Sequence, residues 1–251
     1  MHSLRFSSKV KQYTRYRWNY APEAIAWIFA ITQCSRDIVV ADIGSGTGML
    51  TEHFINKVRR IFAIEPNRMM REVAEKNLGQ YSSFFSIDGL SDATGLADKS
   101  VDLITIARAI HWFPSEATKK ELQRIIKPDG WLVIMDIRCT NEDLINALNV
   151  IRTEENGWDT QGDKYRLNNL PLSFYYGNEN YLTMNFEDGK TENWDDFMGR
   201  LSSISSCPAQ EHPLYDNFEK AAREVFNLFS ADGDRLIFNI ATQVNLGQIN
   251  D

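Results

Sequence analysis

The chain has 251 residues, 34 acidic against 27 basic, a net charge of −7, and hydrophobic and charged fractions of 43% and 24%. A length of this order fits one α/β domain with an insertion, and no apolar run approaches the roughly 18 residues that a membrane helix needs. The acidic balance opposes binding to phosphate backbones, whose free energy comes from Lys and Arg displacing counterions, so neither nucleic acid nor membrane is an expected partner.

In chain order, the first 20 residues set Phe6, Tyr13, Tyr16, Trp18 and Tyr20 among Lys9, Lys11, Arg15 and Arg17. Met1–Phe6 has no apolar core of signal-peptide length, so a cytoplasmic protein is expected. A helix follows over Pro22–Ile31, with proline at the position its fixed φ suits. Next, Ile38-Val39-Val40-Ala41 reads as a strand running into Asp42-Ile43-Gly44-Ser45-Gly46-Thr47-Gly48, a glycine turn. Met49, Leu50, Phe54, Ile55 and Val58 then recur at helical spacings, which predicts that the turn opens a helix. The spacing is G-x-G-x-G, and Met49 stands where a dinucleotide fingerprint needs its third glycine, which weakens a nicotinamide or flavin reading.

Strands are predicted at 60–65, 82–88, 101–107 and 131–138, with helices at 67–78 and 115–126. That alternation implies a parallel sheet with right-handed crossovers, which gathers the ends of the first, second and fourth strands at one edge, where a site belongs. Beyond Arg138 the pattern gives a helix over Glu142–Thr153, a polar stretch from 156 to 181 that reads as a cap, and a helix over Tyr215–Phe229. Leu236–Leu246 is expected as an antiparallel last strand beside Tyr181–Phe186. The expected divisions are a lid segment with the first helix (1–35), a core (36–138), a cap and substrate region (139–233) and a closing strand (234–251). Cys34, Cys139 and Cys207 are odd in number and lack metal-ligand spacing, so free thiols and no metal are expected.

Four landmarks in order carry a family resemblance: Asp42-x-Gly44-x-Gly46-x-Gly48, the acid closing Ile61-Phe62-Ala63-Ile64-Glu65-Pro66, the Ser100-Val101-Asp102 lead into the fourth strand, and Lys127-Pro128-Asp129-Gly130. Together they resemble class I S-adenosylmethionine-dependent methyltransferases, and Ala109-Ile110-His111-Trp112-Phe113 is similar to the small-molecule, trans-aconitate-type branch. The resemblance implies a Rossmann-like, seven-stranded, mostly parallel sheet with an antiparallel last strand, helices on both faces and a helical cap. It implies S-adenosylmethionine as cofactor, S-adenosylhomocysteine as product and transfer to oxygen or carbon of a small acceptor. Alternatives on the same fold are a cofactor-binding protein without catalysis and an aminopropyltransferase. A monomer and a small homodimer are both compatible with the composition.

The same resemblance assigns residues. Gly44, Ser45, Gly46, Thr47 and Gly48 would cradle the amino-acid and ribose portions, Asp42 would hold the ammonium, and Glu65 the ribose hydroxyls, followed by Pro66. Met70 would face the adenine, and the loop Gly89-Leu90-Ser91-Asp92 would read its amino group; Leu90 departs from the family pattern, leaving Asp92 or a backbone carbonyl as acceptor. Ala107 and Arg108 would lie beside the methionine portion, and Tyr13, Tyr16 and Arg17 match an N-terminal Tyr-x-x-Tyr-Arg element that folds over the cofactor. On the acceptor side stand His111 and Trp112, with Arg108, Arg138 and Arg200 as candidate anion holders; His111 is the candidate general base, or alternatively a packing residue.

Overall fold

A computed structural model describes residues 9–160 and 170–249. Phe6, the leader reading of Met1–Phe6 and part of the expected cap (161–169) lie outside the described residues.

Seven strands form one sheet: β1 (Val39–Ile43), β2 (Arg60–Ile64), β3 (Phe84–Ile87), β4 (Val101–Ala107), β5 (Ile126–Cys139), β6 (Leu182–Glu192) and β7 (Leu236–Gln248), in the order β3-β2-β1-β4-β5-β7-β6. The first five pair in parallel, with Val40 beside Ile61 on one side and Leu103 on the other. β1 and β4 are nearly continuous apolar runs because a parallel sheet is covered on both faces. β7 reverses: Asn245 donates to the Ile134 carbonyl while the Thr140 N–H donates to that of Asn239, so numbering rises on one strand as it falls on the other. The Thr183–Asn245 and Gln243–Asn185 bonds give the same antiparallel sense between β6 and β7. This is the sheet the resemblance implies.

The chain divides into two compact units that interleave in sequence. One comprises, of the described residues, 20–136, 170–186 and 242–249. Its core joins Ile43, Ile64, Ile104, Leu122, Leu132 and Tyr176. The other comprises, of the described residues, 9–19, 137–160 and 187–241, and packs Leu144, Trp158, Phe197, Phe218, Phe226 and Phe238 together. Of the segment expected as a cap, residues 170–186 lie in the first unit and its other described residues in the second.

Helices are numbered α1 (Val10–Tyr16), α2 (Pro22–Thr32), α3 (Arg68–Leu78), α4 (Ser115–Ile125), α5 (Glu142–Ile151), α6 (Trp194–Ser202) and α7 (Tyr215–Phe229). Asn67, Asn141 and Asn193 cap α3, α5 and α6 through their side-chain oxygens, satisfying N–H groups that a helix start leaves free.

The helix expected to open from the glycine turn is not there. Residues 47–50 continue as turns and only Thr51–Phe54 coil, as one 3₁₀ turn. Ile55 turns out to ψ 133 and Asn56 sits at φ 61, so the coil ends after that one turn. Leu50, Phe54, Ile55 and Val58 are buried because they pack on the core, and over so short a run that spacing imitates a helix. β5 also starts earlier than expected, at Ile126 directly after α4, and β6 runs on to Glu192.

Candidate functional site

The turn after β1 is built around three left-handed residues, Gly44 (φ 71), Gly46 (φ 57) and Gly48 (φ 83). They need glycine for different reasons. A Cβ on Gly44 would lie 2.6 Å from that of Ala109 and 2.9 Å from the Phe113 ring, and one on Gly48 would lie 2.9 Å from Leu78. A Cβ on Gly46 would meet no atom within 4 Å. Two glycines therefore let backbone press against core, while the middle one borders open space. The Gly44 and Ser45 N–H groups donate to the Ile64 carbonyl at 2.8 and 3.1 Å, which ties the turn to the tip of β2. Thr47 is buried and Ser45 half-buried.

Two carboxylates frame the turn. Asp42 is buried and accepts from Thr51 Oγ1 at 2.6 Å and Thr105 Oγ1 at 2.9 Å. Burial pushes its pKa up to about 6, against the opposing pull of those two hydroxyls. Glu65 takes the Gly46 N–H on Oε2 at 3.0 Å and the Asn67 N–H on Oε1 at 2.8 Å. Its pKa is raised by burial, with the backbone bonds and the Arg71 charge pulling the other way. Each Glu65 oxygen keeps lone-pair capacity for a further hydroxyl donor. Arg71 fixes this corner by donating to the Glu65 carbonyl at 2.7 Å and gripping both oxygens of Asp88.

Pro66 is half-buried and Met70 is buried at the first turn of α3. In the next loop, a Cβ on Gly89 would lie 2.9 Å from Ile64, so that glycine is required for packing. Leu90 is half exposed and exchanges backbone bonds with Ala93, Ser91 is committed to Thr118 at 2.9 Å, and Asp92 is half-buried. Beyond β4, Ala107 precedes Arg108, which holds a left-handed φ of 54. Ile110–Trp112 form a 3₁₀ turn on which the His111 and Trp112 rings lie 5.1 Å apart.

Asp42, Gly44–Gly48, Glu65, Met70 and Arg108 all lie in the first unit, where Glu65 is bonded to the turn at Gly46 and Arg108 reaches Met49 directly after it. Thr51, Thr105, Asn67 and Tyr20 join them unannounced. The two threonines carry no periodic signal, and only the buried acid shows what their hydroxyls are for. A cavity of about 200 Å³ bounded by Thr32, Asp102, Pro128 and Trp131 lies where β4 and β5 begin, apart from these residues.

The other unit holds the remaining candidates. Arg17 lies over the Tyr13 ring and donates to the Ser203 carbonyl at 3.2 Å. Tyr16 packs so tightly on Gly199 that a Cβ there would lie 2.5 Å from the ring. The Arg200 Nε is held by both oxygens of Glu192, at 2.7 and 3.0 Å, beneath the Trp18 and Phe238 rings. Arg138 is exposed. Cys34, Cys139 and Cys207 are free thiols. Among the described residues no group of acids, histidines and cysteines is placed to hold a metal, and no helix is long and apolar enough to cross a membrane.

A strand-tip glycine turn flanked by two acids, on a sheet in this order, is the arrangement that the resemblance to class I methyltransferases implies. Residues 41–134 match the family described as "Methyltransferase domain". An uncharacterized methyltransferase of Mycobacterium tuberculosis is 33% identical over 130 residues, 52% of this chain and 51% of that protein. The chain therefore spans about half the length of the mycobacterial relatives it matches. An uncharacterized methyltransferase of Schizosaccharomyces pombe is 26% identical over 94% of both chains. Among solved structures, a putative methyltransferase from an antibiotic biosynthesis pathway of Anabaena variabilis superposes with a TM-score of 0.63 at 19% identity, covering 94% of this chain and 99% of that one. Residues 41–134 thus carry a methyltransferase domain, and the chain is similar to methyltransferases there and more distantly along most of its length.

Proposed function

We propose that this protein transfers the methyl group of S-adenosylmethionine to oxygen or carbon of a small molecule. The observation that carries the reading is the open edge of the turn at Gly46, with the Glu65 carboxylate anchored to the Gly46 N–H. The donor set fits the cofactor: Glu65 offers acceptors for a ribose diol, and Asp42 offers a buried negative charge beneath an ammonium. Met70, at the start of α3, suits an adenine face.

S-adenosylmethionine supplies an electrophilic methyl carbon on a neutral leaving group, so the protein's task is alignment and exclusion of water rather than covalent catalysis. The chain's own residues divide that task. Backbone N–H groups of the turn are fixed by the Ile64 carbonyl and leave Gly46 bare for close approach. Glu65 orients the sugar. The 3₁₀ turn presents His111 as a base for a hydroxyl or enol acceptor, removing a proton at an imidazole nitrogen.

S-adenosylhomocysteine should raise the melting temperature with the logarithm of its concentration over Kd, and NAD should leave it unchanged. Transfer of labelled methyl to a panel of carboxylic acids, phenols and enols then identifies the acceptor class. His111→Ala is expected to abolish turnover with S-adenosylhomocysteine binding intact, and unchanged turnover returns His111 to packing.

A further inference from the structure

Helix α4 buries Thr118, Glu121, Leu122 and Ile125 along one face, spaced as an inward apolar stripe would be. Two of the four are polar, and one is an acid only 7% exposed. Both are bonded to the loop that follows β3. Glu121 Oε1 accepts the Thr94 N–H at 2.9 Å and the Thr94 hydroxyl at 2.5 Å, and Thr94 Oγ1 in turn accepts the Leu96 N–H at 3.2 Å. One helical turn earlier, Thr118 Oγ1 and Ser91 Oγ share a buried hydrogen bond of 2.9 Å. Arg124 donates to both Glu121 oxygens at 2.8 Å and to Asp98 at 2.5 Å, and its contact holds the Glu121 carboxyl down at about 2. The group is a carboxylate at any working pH, so it carries no proton for the transfer.

Between the two anchors Leu90 and Ala93 exchange backbone bonds at 3.2 Å, which closes Ser91-Asp92 into a two-residue turn. Gly89 lies so close to Ile64 that a Cβ would come within 2.9 Å of it. The half-buried Asp92 takes part in none of these bonds. An acid on the inward face of a helix is costly to bury, and here it holds the loop that the resemblance sets against the adenine amino group. Left free, such a loop has to be ordered by its ligand, and each residue fixed on binding subtracts from affinity. We infer that Glu121 is a positioning residue for recognition of the donor's base: through Thr94, with Thr118 gripping Ser91, it fixes the Leu90–Ala93 turn before the donor arrives. The inference rests on the S-adenosylmethionine reading above.

Calorimetry with two ligands tests it: S-adenosylhomocysteine, and S-inosylhomocysteine, in which a carbonyl replaces the amino group of the base. The unmodified protein should bind the first more tightly. Glu121→Ala should lower S-adenosylhomocysteine affinity roughly 10-fold and S-inosylhomocysteine affinity much less, so that the preference narrows. Glu121→Gln, which keeps an acceptor for Thr94, should recover most of the preference. A brace that served the fold alone would lower the melting temperature and leave the ratio of the two affinities where it was. Should Glu121→Ala not fold, Thr94→Val removes the hydroxyl from the same contact at nearly constant shape and carries the same expectation. An unchanged ratio in the folded variant, equal weakening of both ligands, or a parent that binds the two alike overturns the inference. Failure of the unmodified protein to bind either ligand overturns the donor reading itself.

Discussion

The two acids at the glycine turn of the first unit and the buried acid of the second are compensated in opposite ways. In the second unit Glu192 is 5% exposed and Arg200 7%, and they answer each other's charge directly, with Trp18 Nε1 donating to the same carboxylate at 2.7 Å. In the first unit Asp42 is 1% exposed and is met by two neutral hydroxyls, and Glu65 by two backbone N–H groups. A charge compensated from within holds the fold together. A charge met only by dipoles leaves a deficit that a cationic ligand can fill, and the raised pKa of Asp42 is the trace of that deficit.

The largest effect should come from breaking the compensated pair. Glu192→Ala leaves a buried guanidinium without its partner and should cost about 3–5 kcal/mol in urea unfolding. The double replacement Glu192→Leu with Arg200→Met should recover most of that loss. A single variant as stable as the parent would erase that contrast.

Next in size is the pH dependence of Asp42. Its folded pKa, about 6, lies above its ordinary 3.8, so the folded state holds a proton that the unfolded chain has already released. The Asp42 contribution is therefore most favourable below pH 4 and is lost as pH rises through 6, at a cost of about 3 kcal/mol by neutrality. Relative to the parent, Asp42→Asn should gain stability between pH 4.5 and 7.5 in parallel melts, and a flat difference would deny the deficit. A ligand ammonium reverses the preference, so S-adenosylhomocysteine affinity should rise across the same window in the parent and lose that rise in Asp42→Asn. Glu65→Ala should weaken the same ligand roughly 100-fold, the loss expected for charged hydrogen bonds to a diol, and undiminished binding would sink the sugar assignment.

Much of this was legible in the residues. Strand periodicity set out the parallel sheet, and Asp42, the three glycines and Glu65 pointed to the turn at which the site is proposed, because turns with positive φ and acids at strand tips leave local signatures. What stayed hidden depends on tertiary contact. The run Met49–Val58 imitates a helix because its apolar residues pack on the core, while the extended Ile55 and the left-handed Asn56 break the winding after one turn. Thr105 is an unremarkable residue of an apolar strand until its hydroxyl is seen on Asp42. Arg200 could be singled out as a cation, yet its partner Glu192 lies on a stretch of β6 beyond the expected strand, so the pair carried no shared signal.

The smallest effect gives the finest test of the contrast between a packed and an open part of the same turn. Gly44→Ala places a Cβ 2.6 Å from Ala109 at φ 71, combining overpacking with backbone strain, and should cost roughly 2–4 kcal/mol. Gly46→Ala at φ 57 meets nothing and should cost only about 1 kcal/mol from strain. The order should reverse for ligand. The Gly46 Cβ points into the space that a donor lying against the turn must occupy, so S-adenosylhomocysteine binding should fall more, relative to lost stability, in Gly46→Ala than in Gly44→Ala. If Gly46→Ala binds as tightly as the parent, the open edge of the turn is solvent rather than a cradle, and the donor has to lie elsewhere.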